Sequence, residues 1–138
     1  MKPLYTAQAT AEGGRDGKVS TSDNTLQENL TVPKEMGGSG GEGTNPEQLF
    51  ASGYAACFDG ALNLIADKAG EKIESKTTVD VHIGKEGDGF GLAATINVEV
   101  NGVDQAKADE LVQKANDFCP YSKATKGNIE VSVNAKAV

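Results

Sequence analysis

The sequence predicts an α+β fold in a single domain spanning residues 1–138. A chain of 138 residues and 14.3 kDa falls within the roughly 100 to 200 residues of one domain. Strand-like alternation occurs near both ends and in the middle, and two segments with helical periodicity separate these stretches. No β-α-β unit repeats along the chain, which favours the α+β class.

Composition limits the classes of partner. Hydrophobic residues make up 38% and charged residues 24%, which is typical of a folded globular protein. The net charge of −7 lacks the positive field that holds phosphate backbones, so we expect no nucleic-acid partner. The chain has no run of about 18 apolar residues, and its first ten residues lack the apolar core of a secretory signal. We therefore expect no membrane association and a cytoplasmic location.

The first 33 residues predict a strand meander. Residues 3–11 alternate, with one face formed by Tyr5, Ala7, Ala9 and Ala11 and the other by Thr6, Gln8 and Thr10, which predicts a half-buried strand. A glycine-rich turn signal follows at residues 13–17. Alternation then continues through Leu26, Leu30 and Val32 up to Pro33.

A long helix is predicted from Pro46 to about Ala69. Thr44 or Asn45 can cap it, proline suits the first helical position, and Gly70 provides the stop. A broad apolar face predicts a helix central to the core, formed by Leu49, Phe50, Gly53, Tyr54, Ala56, Cys57, Gly60, Ala61, Leu64 and Ile65.

Three strands and a second helix complete the prediction. Residues 78–83 and 92–100 alternate as strands, with a hairpin connection over 84–91. A helix is predicted from about Asp104 to Phe118. Pro120 ends it, which places Cys119 where the helix terminates. Residues 129–137 form the last strand.

Two cysteines are the first candidates for chemistry. Cys57, on the apolar face of the long helix, is either a small buried hydrophobe or a nucleophile whose thiolate needs a nearby positive charge. Cys119 follows 62 residues later, and its place before Pro120 predicts a thiol at an exposed, mobile helix end. The two could close a disulfide only if the fold brings them together.

Arg15 and Glu47 are the next candidates. Arg15 is the only arginine and lies in a glycine-flanked turn, where it is either a surface residue or a planar donor for a thiolate or peroxide oxygen. Glu47 is either a first-turn helix charge or a partner that clamps Arg15. His82 has no neighbouring ligand pattern, so we expect a solvated side chain and no metal site.

These motifs together resemble the Ohr/OsmC family, and within it the organic hydroperoxide resistance (Ohr) proteins. The resemblance covers nearly the whole chain and includes both cysteines. The matching segments are Tyr5-Thr6-Ala7, Gly13-Gly14-Arg15-Asp16-Gly17, residues 43–50, Gly53 to Phe58, Gly89-Phe90-Gly91-Leu92, Cys119-Pro120-Tyr121-Ser122, Ala124-Thr125 and Gly127-Asn128.

The resemblance implies a thiol peroxidase for organic and fatty-acid hydroperoxides. Cys57 would attack the peroxide, Cys119 would resolve the sulfenic acid as a disulfide, and Arg15 and Glu47 would activate the thiolate. It also implies an OsmC-like intertwined homodimer with antiparallel sheets around long central helices. The resemblance further implies no bound cofactor and a dihydrolipoyl group on a lipoylated protein as external reductant.

The apolar stripe around Cys57 suits an alkyl tail. We expect Phe50, Tyr54 and Leu64 to contact the substrate.

The spacing of Glu47 and Cys57 raises a geometric problem. Ten residues of straight helix separate them by about 15 Å of rise and roughly 80° of rotation, so they cannot touch within it. Either the helix breaks near Gly53, or Glu47 reaches the Cys57 of a partner subunit across close-packed helices.

Some residues depart from the family pattern, and other functions stay open. Asp59 places an acid two residues after Cys57, and we expect it to face solvent or a cap. Lys123 and Lys126 stand where the family often carries neutral or arginine side chains, and we expect them to tune reductant docking.

Two alternative functions stay open: a non-enzymatic protein that binds a lipid-like ligand, and an OsmC-type peroxidase with broader peroxide preference.

Overall fold

The computed structural model describes all 138 residues, Met1–Val138. It contains six strands and three α-helices, and the chain divides into two compact units, Met1–Leu49 and Phe50–Val138. The elements in order are β1 (Ala9–Glu12), β2 (Lys18–Thr21), β3 (Gln27–Asn29), α1 (Pro46–Lys68), β4 (Glu74–Glu86), β5 (Gly89–Asn101), α2 (Gln105–Phe118), α3 (Pro120–Thr125) and β6 (Glu130–Ala137). The α+β class predicted from sequence is confirmed, whereas the single-domain assignment stays a prediction.

The first unit holds the predicted meander, with the antiparallel order β1-β2-β3. The first strand is shorter than the predicted 3–11, because β1 pairs with β2 only from Ala9, opposite Thr21. All four residues of β1 are exposed, so the predicted half-burial is wrong for this chain.

Helix α1 begins and ends on the predicted signals. The Asn45 side chain accepts the backbone N–H of Gln48 at 2.8 Å, which caps the first turn. At the other end Gly70 has φ 71°, and the backbone N–H of Glu71 donates to the Ala66 carbonyl at 2.9 Å, which closes the last turn.

The buried face of α1 differs from the predicted one. Its most buried positions lie at helical spacing and belong to the core: Tyr54, Phe58, Ala61, Leu62 and Ala66. Ala56, Gly60 and Leu64, which the prediction placed on the inner face, are exposed in this chain. The helix is apolar around most of its circumference, so periodicity alone does not decide which stripe packs inward.

The second unit is built on a three-stranded sheet of order β4-β5-β6. Strands β4 and β5 are longer than predicted, because the 84–91 segment pairs up to a two-residue turn at Gly87 and Asp88. A cluster of buried side chains joins one face of this sheet to α1 and α2.

Strand β6 pairs with β5 in parallel, from Ala93 opposite Glu130 to Val100 opposite Ala137. The prediction of antiparallel sheets is therefore wrong for this pair. Helices α2 and α3 carry the chain back before β6 begins, which is the crossover that parallel pairing needs.

Helix α1 is long and apolar enough to cross a membrane when judged by length and composition alone. One such helix is weak evidence for a span, because a core helix passes the same test. The α1 segment of the sequence is not an unbroken apolar run, since Asp59 and Asn63 interrupt it.

Candidate active site

Arg15 lies in a tight 3-10 turn, Gly14–Asp16, between β1 and β2. The backbone of Gly13 is left-handed at φ 81°. A Cβ on Gly17 would overlap the Glu12 carbonyl, so a larger residue could not close the turn. The glycines that flank Arg15 are thus needed to shape the loop that presents it.

Arg15 and Glu47 form a two-pronged ion pair in the first unit. The guanidinium donates to the two carboxylate oxygens at 2.9 and 2.7 Å. The Glu47 side chain is 13% exposed and that of Arg15 is 39% exposed. Planar fork-to-carboxylate pairing also fixes orientation, which a lysine cannot reproduce.

The pair stabilises both charges. Hydrogen bonds from Arg15 hold the pKa of the Glu47 carboxyl below its usual value. The same contact raises the pKa of Arg15. The structure thus brings together two residues singled out from the sequence, while their catalytic roles stay predictions.

The two cysteines meet in the second unit. Cys57 lies midway along α1, and Cys119 lies at the junction of α2 and α3, with φ −59° and ψ 123°. Both thiols are free, and the Cys119 thiol donates to the Cys57 sulfur at 3.5 Å. A disulfide bond is about 2.05 Å long, so a shift of roughly 1.5 Å would join the sulfurs.

Cys119 does not lie at an exposed helix end, contrary to the prediction. Its side chain is 0% exposed, because the chain turns directly into the short helix α3, which the sequence analysis did not predict. The carbonyl of Cys119 accepts the backbone N–H of Lys123 at 3.0 Å, so the cysteine is held by the helix that follows it.

Burial raises the pKa of the Cys57 thiol. The backbone N–H of Tyr121 points to the sulfur and acts in the opposite direction, while the neighbouring Cys119 adds to the rise. Within this unit Cys57 is therefore held as a thiol at neutral pH, and a thiolate needs a further positive charge.

Helix α1 is unbroken from Pro46 to Lys68. The proposed break near Gly53 is therefore wrong. The other alternative, that Glu47 serves the Cys57 of a partner subunit, stays a prediction.

Two aromatic rings on α1 and one on α3 form a cluster. Phe50 stacks on Tyr121 at 6.2 Å between ring centroids, and Tyr54 lies 5.8 Å from Phe50 and 5.7 Å from Tyr121. A Cβ on Gly53 would lie 2.7 Å from the Tyr121 hydroxyl, so a larger residue there would require this ring to shift.

The three predicted substrate contacts occupy different environments. Phe50 lines a cavity of about 500 Å³, together with Leu92, Pro120, Tyr121 and Ile129. Tyr54 is fully buried, and Leu64 is 40% exposed on the outer stripe of α1. Their roles in binding stay predictions.

Helix α3 carries two buried hydroxyls that were not predicted as site residues. Ser122 Oγ and Thr125 Oγ1 lie 2.9 and 3.1 Å from the hydroxyl of Tyr54. The signal was present in the sequence, since the two hydroxyl residues lie three apart, on one face of a turn begun by Pro120.

The prediction that Asp59 faces solvent or a cap is wrong. Its carboxylate accepts the hydroxyls of Ser75 at 2.7 Å and Thr77 at 2.9 Å, and Asn63 donates to it at 3.3 Å. The acid is therefore an anchor between α1 and β4.

Lys123 and Lys126 lie exposed in and after α3, and their role in docking the reductant stays a prediction. His82 lies exposed on β4, with its ring 3.1 Å from the Thr95 hydroxyl.

Comparison with known proteins shows the family of this chain. The family model described as OsmC-like protein matches residues 38–134. The chain belongs to the OsmC-like family. The matched residues of this OsmC-like chain include Glu47, Cys57 and Cys119.

Several proteins similar to this chain are named organic hydroperoxide resistance proteins. The one from Xanthomonas axonopodis pv. citri is 49% identical over 134 residues, which is 96% of this chain and 94% of that protein. The crystal structure of one from Elizabethkingia anophelis, with crystallant-derived thiocyanate bound, has a TM-score of 0.95 at 45% identity and covers all of both chains. The OhrB structure from Bacillus subtilis has a TM-score of 0.90 at 44% identity, covering 97% of this chain and all of that one. The predicted OsmC-like fold is thus confirmed.

Proposed function

We propose that this OsmC-like chain is a cysteine-based peroxidase that reduces organic hydroperoxides to alcohols. The observation that carries the proposal is the 3.5 Å contact between the Cys57 and Cys119 sulfurs. A buried structural cysteine needs no second thiol, whereas a sulfenic acid needs one within reach. The names of the relatives support the same role in hydroperoxide resistance.

The first step is attack of the Cys57 thiolate on the O–O bond. The sulfur gains one oxygen and becomes a sulfenic acid, and the peroxide leaves as an alkoxide that takes a proton to form the alcohol. Because burial raises the pKa of Cys57, the thiolate needs a cation. We propose that Arg15 supplies this charge and that Glu47 orients its guanidinium.

The second step is condensation of the two sulfurs. The Cys119 thiol attacks the Cys57 sulfenic acid, the S–S bond forms and water leaves. The separation in the dithiol form supports this step, since the sulfurs are already in contact.

The cycle closes when an external dithiol reduces the disulfide. We propose a dihydrolipoyl group carried on a lipoylated protein, which is oxidised to its cyclic disulfide while both cysteines return to thiols. The protein needs no bound cofactor for this chemistry. We further propose that it works in the cytoplasm as a homodimer.

The cavity beside Tyr121 supports an apolar substrate. Its lining is mainly apolar, with Phe50, Leu92 and Ile129 among the contributing side chains. Apolar surface of this kind favours an alkyl chain over hydrogen peroxide, which has no apolar part to bury.

The test is dihydrolipoamide-dependent consumption of cumene hydroperoxide, with hydrogen peroxide as the comparison substrate. We expect faster removal of the organic peroxide and no turnover in Cys57→Ser. Full turnover in Cys57→Ser contradicts the proposal, and equal rates with both peroxides indicate a broader peroxide preference. No consumption by the wild type points to a protein that binds a lipid-like ligand.

Cys119→Ser is the matched control, because it removes the other thiol by the same substitution. We expect it to consume one equivalent of peroxide in forming the Cys57 sulfenic acid and a second in forming the sulfinic acid, which accumulates, without sustained dihydrolipoamide turnover. Loss of the first equivalent as well would assign the attack to Cys119.

A further inference from the structure

Tyr54 links the two segments that carry the cysteines. Its side chain is fully buried, and its hydroxyl lies 2.9 Å from Ser122 Oγ and 3.1 Å from Thr125 Oγ1. Tyr54 precedes Cys57 by three residues on α1, and Ser122 follows Cys119 by three residues on α3. One phenol hydroxyl therefore ties the helix of the first thiol to the helix that follows the second.

We propose that Tyr54 is a positioning residue for disulfide formation. Its hydroxyl holds α3, and with it Cys119, where the two sulfurs touch, and so decides how much of the Cys57 sulfenic acid closes to the disulfide. This inference rests on the proposed function.

The position of Cys119 depends on contacts of this kind. Its own backbone is not helical, and the helix after it has only six residues. A helix that short is not stable by itself, so its place is set by what it packs against. The Tyr54 hydroxyl supplies polar contacts to it in a fully buried setting, where losing a partner is costly.

The sulfenic acid has two competing fates. Attack by the Cys119 thiol forms the S–S bond and releases water. Attack by the Cys57 sulfenic acid on a second hydroperoxide gives a sulfinic acid and another alcohol. Only the second fate speeds up with peroxide concentration, and only the first depends on the distance between the sulfurs.

Tyr54→Phe tests the proposal, because it removes one oxygen and keeps the ring. The reduced protein is treated with increasing cumene hydroperoxide, quenched with N-ethylmaleimide and analysed by intact mass for disulfide and sulfinic acid. A displacement of about 1 Å can cost roughly a hundredfold in rate. Loss of one hydroxyl should displace Cys119 by less than this. We therefore expect Tyr54→Phe to reach half-conversion to sulfinic acid at a cumene hydroperoxide concentration about tenfold lower than the wild type.

This ratio is independent of how fast the sulfenic acid forms, because both fates start from it. Ser122→Ala removes one partner of the phenol and should shift the ratio in the same direction. Tyr5→Phe removes the hydroxyl of a tyrosine that is 81% exposed and should match the wild type. Val79→Ala weakens the core at a residue of β4 that makes no hydrogen bond to the phenol, so it reports whether lower stability alone moves the ratio.

A wild-type ratio in both Tyr54→Phe and Ser122→Ala overturns the positioning role, and so does an equal shift in Val79→Ala. If Tyr54→Phe does not fold, Ser122→Ala decides. A wild-type protein whose Cys57 is not oxidised by the peroxide overturns the proposed function itself, which is a different result.

Discussion

The Arg15 and Glu47 side chains show how one ion pair can orient a charge. Two hydrogen bonds fix the plane of the guanidinium, yet 39% of the Arg15 side chain stays exposed. A partly exposed pair adds little to stability, because solvent screens it. What the pair fixes is the orientation of the guanidinium, which suits the proposed role of Arg15 as a donor to a thiolate or a peroxide oxygen.

Replacing Arg15 should therefore change reactivity more than folding. In Arg15→Ala we expect the pH profile of Cys57 alkylation by iodoacetamide to move to higher pH, because the cation that we propose favours the thiolate is gone. The free energy of unfolding should fall by about 1 kcal/mol or less. Lys18→Ala, which removes an exposed lysine near the same turn, is the control. An unchanged alkylation profile in Arg15→Ala would show that Arg15 does not stabilise the Cys57 thiolate.

The ion pair should also give stability a defined pH dependence. The folded state lowers the pKa of Glu47 from its ordinary value of 4.5, so the pair contributes fully above that pH and loses its contribution as pH falls through the lowered value. Urea unfolding should show Glu47→Gln less stable by about 1 kcal/mol at neutral pH, with the two proteins converging in acid. Glu12→Gln is the control, since its pair with Lys18 is loose at 3.9 Å and exposed. A difference that does not vary with pH would rule out the Glu47 charge as its source.

At the scale of elements, α1 is anchored to its neighbours by polar contacts as well as by the core. Asp59 accepts hydroxyls from Ser75 and Thr77 on β4. Hydrogen bonds to a charged group are worth more than neutral ones. This anchor holds the middle of α1, beside Cys57, against the sheet.

Asp59→Asn should loosen that anchor. We expect a loss of about 1 to 3 kcal/mol in the free energy of unfolding, because the amide is a weaker acceptor and brings donors that the two hydroxyls must then accommodate. Urea titration measures the change. Asp67→Asn makes the same substitution at an exposed position of α1 and should leave stability nearly unchanged. Equal effects in both variants would contradict the anchor.

The sequence predicted most elements, because each carries a periodic pattern or a terminal signal. Proline, asparagine and glycine marked both ends of α1, and alternation marked β4, β5 and β6. Alternation fixes which residues share a face but says nothing of strand direction, so the parallel pairing of β6 was not predicted. Helix α3 is too short for periodicity, and the burial of Cys119 was missed together with it.

The site was predicted in part. Arg15 with Glu47, and Cys57 with Cys119, stand in contact within their units. The sequence places Ser122 and Thr125 three residues apart, but their pairing with Tyr54 could not be predicted, because that residue lies 68 and 71 positions away and meets them only through tertiary packing.

At the scale of the whole molecule, the chain leaves an apolar stripe of α1 exposed. Ala56, Gly60 and Leu64 form this stripe at intervals of four residues, opposite the face that packs in the core. Small residues at such spacing allow close approach of a second helix. The stripe supports the proposed homodimer, whose surface it would bury.

We therefore expect a solution mass of twice 14.3 kDa by light scattering. Leu64→Glu should lower it toward 14.3 kDa, because a charge would have to be buried between helices, whereas the exposed position tolerates it in a lone chain. Val138→Glu, at an exposed terminus, should keep the wild-type mass. A dimer that survives Leu64→Glu would place the interface elsewhere.

The parallel pairing of β6 has a consequence for the order of folding. The β4–β5 hairpin closes through a two-residue turn, so it can form early from local contacts. Strand β6 can dock only after α2 and α3 have crossed back, and Cys119 lies within that returning segment. The contact between the two thiols is thus non-local, since Cys119 meets Cys57 only when this returning segment is in place.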